Sequence, residues 1–328
     1  MILAGDIGGT KTVLALFKDR GRPIPLQRQT FNSRDHDGLE SVLKRFKKNL
    51  TGGSVKIRAA CFGVAGPVIR NATRTINLPW MVKGGRLGRL LGTQNVTLLN
   101  DLEAMAHGVS ALKKDDLVTL QKGRPVPGNA ALIAAGTGLG EAILFWDGKR
   151  HRPSASEGGH TEFGPRIEPE MRLWAYLRKR YGHVSTERVV SGPGLVNLYR
   201  FLEESGKGRE PAYLTERLSR EDPATVIAET ALSGKNRLCV KALDLFVSAY
   251  GAEAGNLALK ALAVGGVYIG GGIAPKILPK FRDGAFLRSF ADKGRYAALL
   301  SNIPVRVILN PDTALLGAAL YARTRIPS

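Results

Sequence analysis

The stretch Ile2-Leu3-Ala4-Gly5-Asp6-Ile7-Gly8-Gly9-Thr10-Lys11-Thr12-Val13-Leu14-Ala15-Leu16-Phe17 decides the fold. Two short apolar runs flank a glycine pair, so the segment reads as strand, tight turn, strand. Gly8-Gly9 leads into a strand rather than a helix, which excludes a dinucleotide fingerprint, and no G-x-x-x-x-G-K-[ST] pattern occurs. Such a turn can still lay backbone N–H groups around an anion, because glycine accepts positive φ and lets a phosphate come close.

The same device recurs further along. Residues 130–135 form an apolar run that enters Gly136-Thr137-Gly138-Leu139-Gly140, and a second run follows over 142–146. This is a weak internal repeat, of architecture more than of letters. A third run, Val267-Tyr268-Ile269, ends in Gly270-Gly271-Gly272. Near the first copy, residues 39–50 carry apolar positions at helical spacing and 59–65 read as a buried strand. The resulting β-β-β-α-β order belongs to mixed sheets. A strand over 96–99 runs into Asn100-Asp101, with a helix expected over 102–112, so Asp101 stands at a strand-to-helix junction. Residues 121–128, rich in Lys, Pro and Gly, read as a loop. Helices are expected over 171–181, 194–204, 223–232 and 237–262, then a strand over 305–309 and a last helix over 313–321.

A chain of 328 residues is long enough for about two domains, and 44% hydrophobic with 23% charged residues argues against long disorder. There is no run of about 18 apolar residues and no secretory leader pattern, so a soluble, cytoplasmic protein with no membrane partner is expected. Cys61 and Cys239 cannot make a disulfide framework or a cysteine-based zinc site, and are expected to be buried small hydrophobes. The 48 Lys and Arg against 28 Asp and Glu leave a net charge of +20, which attracts polyanions. The basic residues are dispersed, with only short clusters at Lys44, Arg45, Lys47 and Lys48 and at Arg178, Lys179 and Arg180. They read as solvated helix faces, with no specific nucleic-acid partner.

Asp6-Ile7-Gly8-Gly9-Thr10 resembles the first phosphate motif of the sugar kinase, actin and heat-shock ATPase superfamily. Gly136-Thr137-Gly138-Leu139-Gly140 resembles its second, and Gly270-Gly271-Gly272 its adenosine motif. Within that superfamily the chain is similar to the bacterial glucokinases, through Leu99-Asn100-Asp101, Glu157-Gly158-Gly159-His160, His183-Val184-Ser185-Thr186-Glu187-Arg188-Val189, Ser191-Gly192-Pro193-Gly194 and Leu315-Leu316-Gly317. Lys11-Thr12 departs toward the related repressor/open-reading-frame/kinase family. That family's zinc-binding cysteines and any N-terminal DNA-binding helix pair are missing, which favours the glucokinases proper.

The resemblance implies an actin-like, ribonuclease H-like α/β fold: two domains, each a mixed β-sheet flanked by helices, with the active site in the interdomain cleft. The small domain would hold 1–112 plus 313–328 and the large one 113–312. It implies ATP-dependent phosphorylation of D-glucose at O6 in glycolysis by a homodimer, with Mg²⁺ bridging the phosphates and Asp6 holding it through water. ATP would meet Asp6, Gly8, Gly9, Thr10, Lys11, Gly136, Thr137, Gly138, Gly271 and Gly272. The sugar would meet Asn100, Asp101, Glu157, His160 and Glu187, with Asp101 as general base.

Elementary chemistry fits these roles and leaves alternatives. A carboxylate can take the hydroxyl proton, although Asp at a helix start is equally a cap. Asn100 offers donor and acceptor to a hydroxyl. Glu157 and His160, three apart around two glycines, can converge on one ligand; a metal is the competing reading, but two ligands are too few for a closed structural site. Glu187 could be a solvated charge opening a helix. His36, His107, His151 and His183 read as surface or packing residues. A side chain at Gly138 is expected to hinder the phosphate and leave the sugar's affinity little changed. Another hexose kinase, a polyphosphate-dependent kinase or a non-catalytic sugar sensor remains as an alternative function.

Overall fold

The computed structural model describes residues 1–50, 55–75, 78–206 and 211–326. In chain order the strands are β1 (Ile2–Ile7), β2 (Lys11–Phe17), β3 (Pro25–Asn32), β4 (Ala59–Val64), β5 (Ala72–Arg74), β6 (Met81–Lys83), β7 (Val96–Asn100), β8 (Leu117–Gln121), β9 (Ala130–Ala135), β10 (Leu139–Trp146), β11 (His151–Ser156), β12 (Gly266–Gly270) and β13 (Val305–Ile308). The helices are α1 (Leu39–Lys48), α2 (Gly84–Leu91), α3 (Asp101–Gly108), α4 (Glu168–Tyr181), α5 (Gly192–Glu204), α6 (Ala212–Arg220), α7 (Pro223–Leu232), α8 (Arg237–Ala261), α9 (Leu278–Phe281), α10 (Ala285–Ala291), α11 (Ala297–Asn302) and α12 (Thr313–Arg323). The chain divides into two compact units: Met1–Asp116 with Arg152–Ala155 and Asn310–Ser328, and Leu117–His151 with Ser156–Leu309. The last two residues, 327 and 328, which close the small domain expected from the sequence, lie outside the described residues.

Each unit is an α/β body on a mixed sheet, and the two sheets follow one plan. The first has the order β3-β2-β1-β4-β7 and the second β11-β10-β9-β12-β13-β8. In the first, β1 runs antiparallel to β2 and parallel to β4, which is parallel to β7. In the second, β9 runs antiparallel to β10 and parallel to β12, which is parallel to β13. The repeated strand, glycine turn, strand unit is therefore the seed of both sheets, with β8 added antiparallel at one edge. β1, β4 and β9 are buried along their lengths, as central strands covered on both faces must be.

The elements without a clear apolar period are edge pieces. β3 reads Pro-Leu-Gln-Arg-Gln-Thr-Phe-Asn and is mostly exposed, while β11 is His-Arg-Pro-Ser-Ala-Ser, with a proline that an edge strand tolerates. α2 hides behind three glycines. α4 starts at Glu168 and α5 at Gly192, each with proline in its first turn, where a missing N–H costs nothing. α3 ends at Gly108, four residues before the expected limit, and passes into a 3-10 turn over Val109–Ala111.

In the first unit α12 packs on α3, β1 and β4 through small residues: Ala104 on α3, and Ala314, Ala318, Ala319 and Ala322 on α12. At Gly317 the backbones approach so closely that a Cβ would stand 1.8 Å from the Ala104 carbonyl oxygen. Gly317→Ala should therefore cost about 1–3 kcal/mol, because neither helix backbone can yield cheaply. Gly85→Ala on α2, where a Cβ meets nothing within 4 Å, should stay within about 0.5 kcal/mol of the parent. Urea unfolding of both variants checks this; equal stabilities would show that α12 and α3 can separate freely.

Candidate active site

In the first unit the turn after β1 is held from behind. The Gly8 N–H donates to the Lys11 carbonyl at 3.0 Å, and the Ser33 N–H donates to the Thr10 carbonyl at 2.9 Å. The Ser33 hydroxyl donates to the Gly8 carbonyl at 2.8 Å and lies 2.9 Å from the Thr12 hydroxyl. Ser33 and Thr12 are both buried, so this turn is a fixed object. Nothing in the sequence singles out Ser33, since a serine after an edge strand is commonplace.

Asp6, at the end of β1, feels several charges. Burial pushes its carboxyl up to about 6, Asp101 adds to the rise, Lys11 opposes it and Asp312 adds again. Asp312 pairs with Arg28 at 2.9 Å. The sequence carries a signal for it: Asn310-Pro311-Asp312 lies between β13 and α12, just as Asn100 stands where β7 meets α3, which opens with Asp101.

The junction after β7 divides its labour between neighbours. Asn100, not Asp101, is the N-cap of α3, its Oδ1 accepting from the N–H groups of Leu102 at 2.9 Å and Glu103 at 3.3 Å. Its Nδ2 donates to the Gly66 carbonyl at 3.3 Å, which leaves one amide hydrogen for a ligand. Asp101 is the first helical residue, and one carboxylate oxygen accepts from Leu102 N–H at 2.9 Å. The positive end of α3 thus favours a negative charge there.

In the second unit the turn between β9 and β10 is closed by Gly136 N–H donating to the Gly138 carbonyl, and the Gly136 carbonyl accepts from Gly192 N–H at the start of α5, both at 2.8 Å. Thr137 at its tip is exposed. The third glycine turn backs onto it: Gly271 has φ +84°, and a Cβ there would lie 2.2 Å from the Ala135 carbonyl oxygen, while Gly272 is exposed. Two glycine turns therefore meet at the ends of the parallel strands β9 and β12.

Beside them the structure gathers Glu157, His160 and Glu187. His160 Nε2 is 4.0 Å from a Glu157 oxygen and its Nδ1 is 4.0 Å from Glu187 Oε1. They sit on two 3-10 turns, Gly158–His160 and Thr186–Arg188. The turns are linked by Thr186 N–H donating to the Thr161 carbonyl at 2.9 Å and by the His183 ring, 3.0 Å from the His160 carbonyl. His183 thus braces the turn. His36, His107 and His151 lie against Phe31, Tyr321 and Trp146 as packing residues. Among the described residues no group of three or more His, Cys, Asp or Glu side chains could hold a metal by itself.

Glu187 does two things at once. Its Oε2 accepts from Leu139 N–H, within the second glycine turn, at 2.9 Å. The same oxygen lies 2.5 Å from where a Cβ on Gly138 would stand. This alters the expectation for Gly138, since any side chain there strikes the carboxylate as well as blocking an anion. With the sugar at Glu187 and the phosphates at the turn, as the sequence resemblance implies, Gly138→Ala should raise the KM for sugar and for nucleotide together, each by about tenfold, the loss of roughly one hydrogen bond to a charged group. Steady-state kinetics in a folded variant check this; a change confined to the nucleotide would show that Glu187 is independent of the turn.

A glucokinase family model matches residues 3–325. The chain is 42% identical to a glucokinase from Synechocystis, with 98% of this chain and 97% of that protein covered. A glucokinase from an Antarctic psychrotroph has a solved structure that fits with a TM-score of 0.86 at 28% identity, covering 98% of both chains. The structure of Balamuthia mandrillaris glucokinase in complex with glucose fits with a TM-score of 0.83 at 24% identity, over 98% of this chain and 93% of that one, and shows a shared fold. The glycine turns, the Asn100-Asp101 junction and the Glu157, His160 and Glu187 group thus lie in a chain that belongs to the glucokinase family.

Proposed function

We propose that the protein transfers the γ-phosphoryl group of ATP to O6 of D-glucose, with Asp101 as the general base. The observation that carries this reading is the division of roles at the junction: Asn100 caps the helix, so Asp101 is not needed as a cap, and its charge lies in the field of Asp6 at the phosphate turn. A carboxylate so placed can take the O6 proton while that oxygen attacks the γ-phosphorus. The bond to the bridging oxygen breaks and its electron pair leaves with ADP. Glu157, His160 and Glu187 bind and orient the sugar hydroxyls. The backbone of the turns at Gly8-Gly9-Thr10-Lys11 and Gly136-Thr137-Gly138 takes the phosphates, and Gly271 and Gly272 face the nucleoside.

Mg²⁺ fits the same reading. Asp6 is a hard oxygen donor whose carboxyl is already pushed up by burial and by its acidic neighbours, so a divalent cation relieves a repulsion that the fold contains. Asp6 would hold it through water, and when bound it neutralises charge on the phosphates. The family assignment supports a homodimer acting in the cytoplasm, and no described helix is long and apolar enough to cross a membrane.

Asp101→Asn should lower kcat by about 10² to 10⁴, the scale of general-base removal, while glucose still binds. Phosphorus NMR of the product and a coupled assay over a panel of hexoses and donors complete the test. Retention of more than half the parental kcat would remove Asp101 from the mechanism. Turnover with polyphosphate at a kcat/KM matching ATP would reassign the donor.

A further inference from the structure

Beneath the Glu157–His160 turn lies a pair of buried carboxyl groups that the reaction does not use. Glu141, on β10 opposite Ile133, is 1% exposed, and Glu253, on α8, is 7% exposed. Oε1 of each has no hydrogen-bond donor among the described residues. Other neighbours account for the remainder of Glu253: its Oε2 accepts from Asn256 Nδ2 at 2.9 Å, and Lys260 Nζ stands 3.6 Å from its Oε1.

The Glu141 carboxyl also forms the floor of the sugar turn. A Cβ on Gly158 would lie 2.2 Å from Glu141 Oε2, so the turn rests directly on that oxygen. The Glu141 carbonyl accepts from the Ser156 hydroxyl at 3.1 Å, which accepts from Gly158 N–H at 3.2 Å. Glu141 is thus in contact with the backbone between Glu157 and His160, both directly and through Ser156.

We propose that Glu141 and Glu253 share one proton and that this acid–carboxylate pair is a positioning device for the glucose-binding turn. The proposal rests on the glucokinase reading. Two buried carboxylates cannot both stay charged at close range, whereas one proton between them supplies the missing donor. Burial and the charge of Glu253 push the Glu141 carboxyl up to about 7, with Lys260 opposing. Tyr250 of α8 also faces Glu141, and its hydroxyl accepts from Ala135 N–H at 3.1 Å, just before the second glycine turn. The charge of Glu253 also reaches Lys293, which itself lies among Arg166, Asp292 and Glu170, and His160 lies on the turn itself. When the shared proton leaves, the two carboxylates repel, Glu141 Oε2 presses on Gly158, and the sugar contacts loosen.

The folded protein keeps this proton to a higher pH than the unfolded chain does, so the pair weakens folding and sugar binding as pH rises through about 7. The KM for glucose of the parent should rise between about pH 6.5 and 8.5, by up to about tenfold for each unit by which the sugar shifts the pair's pKa. At saturating glucose, where the bound sugar already holds the turn, the KM for ATP should change by less than about twofold over the same range. Glu141→Gln and Glu253→Gln each replace the proton with an amide N–H and remove the charge, so both should flatten the glucose profile. Both should also lessen the fall in Tm from acid to alkaline pH, a readout that needs no substrate. Glucose affinity from calorimetry supplies the same profile without turnover. A parent that binds glucose with a flat profile, or a slope that persists in both variants, would overturn this proposal alone. Absence of glucose binding at every pH would overturn the glucokinase reading and this proposal with it.

Discussion

The bond from Leu139 N–H to the Glu187 carboxylate is the constraint on which the second unit's site depends. It joins a side chain of the proposed sugar group to the backbone of the proposed phosphate turn and leaves no volume for any side chain at Gly138. The position of the turn is in turn fixed by α5, whose first N–H holds the Gly136 carbonyl, and by the third glycine turn packed against Ala135. The Glu187 carboxylate is therefore set by main-chain geometry rather than by rotamer preference. His160 and Glu157 follow from it, because their turn is pinned to the one that carries Glu187. Pre-positioning of this kind lowers the entropy that a ligand bound there must otherwise remove.

How much was legible in the sequence follows from where the physics is local. Glycine turns after apolar strands announce themselves, because few other residues permit the close approaches found at Gly138 and Gly271. The junction at Asn100-Asp101 was legible as a place, while the separation of cap from acid was not, since either residue can cap a helix. Ser33, Asp312 and the His183 brace escaped because each acts across tens of residues and leaves no local period. The edge strand β11 escaped for the opposite reason: its polar residues resemble a loop, and β3, expected as the third strand of the β-β-β-α-β order, had no residues assigned to it for the same reason.

Some of the basic residues have local uses that need no polyanion. The lysines and arginine that end α1 and the Arg178, Lys179 and Arg180 cluster that ends α4 stand in last turns, where a positive charge offsets the negative pole of the helix. Lys47 donates to the Leu90 carbonyl at 3.1 Å. Arg180 pairs with Glu204 at 2.6 Å and lies over the Tyr176 ring. Exposed pairs of this kind add little stability each, and salt weakens them further.

The central claim is that one carboxylate serves both the sugar and the phosphate turn, so the two ligands must feel each other. The direct measurement is a calorimetric titration of a non-hydrolysable ATP analogue with and without glucose, and of glucose with and without the analogue. The parent should show each ligand tightening the other by the same factor, about fivefold or more, as reciprocity requires. Glu187→Gln offers a single acceptor oxygen, which cannot hold Leu139 N–H and a sugar hydroxyl equally well, so its coupling should fall to within about twofold. Independent binding in the parent, or undiminished coupling in Glu187→Gln, would contradict the account.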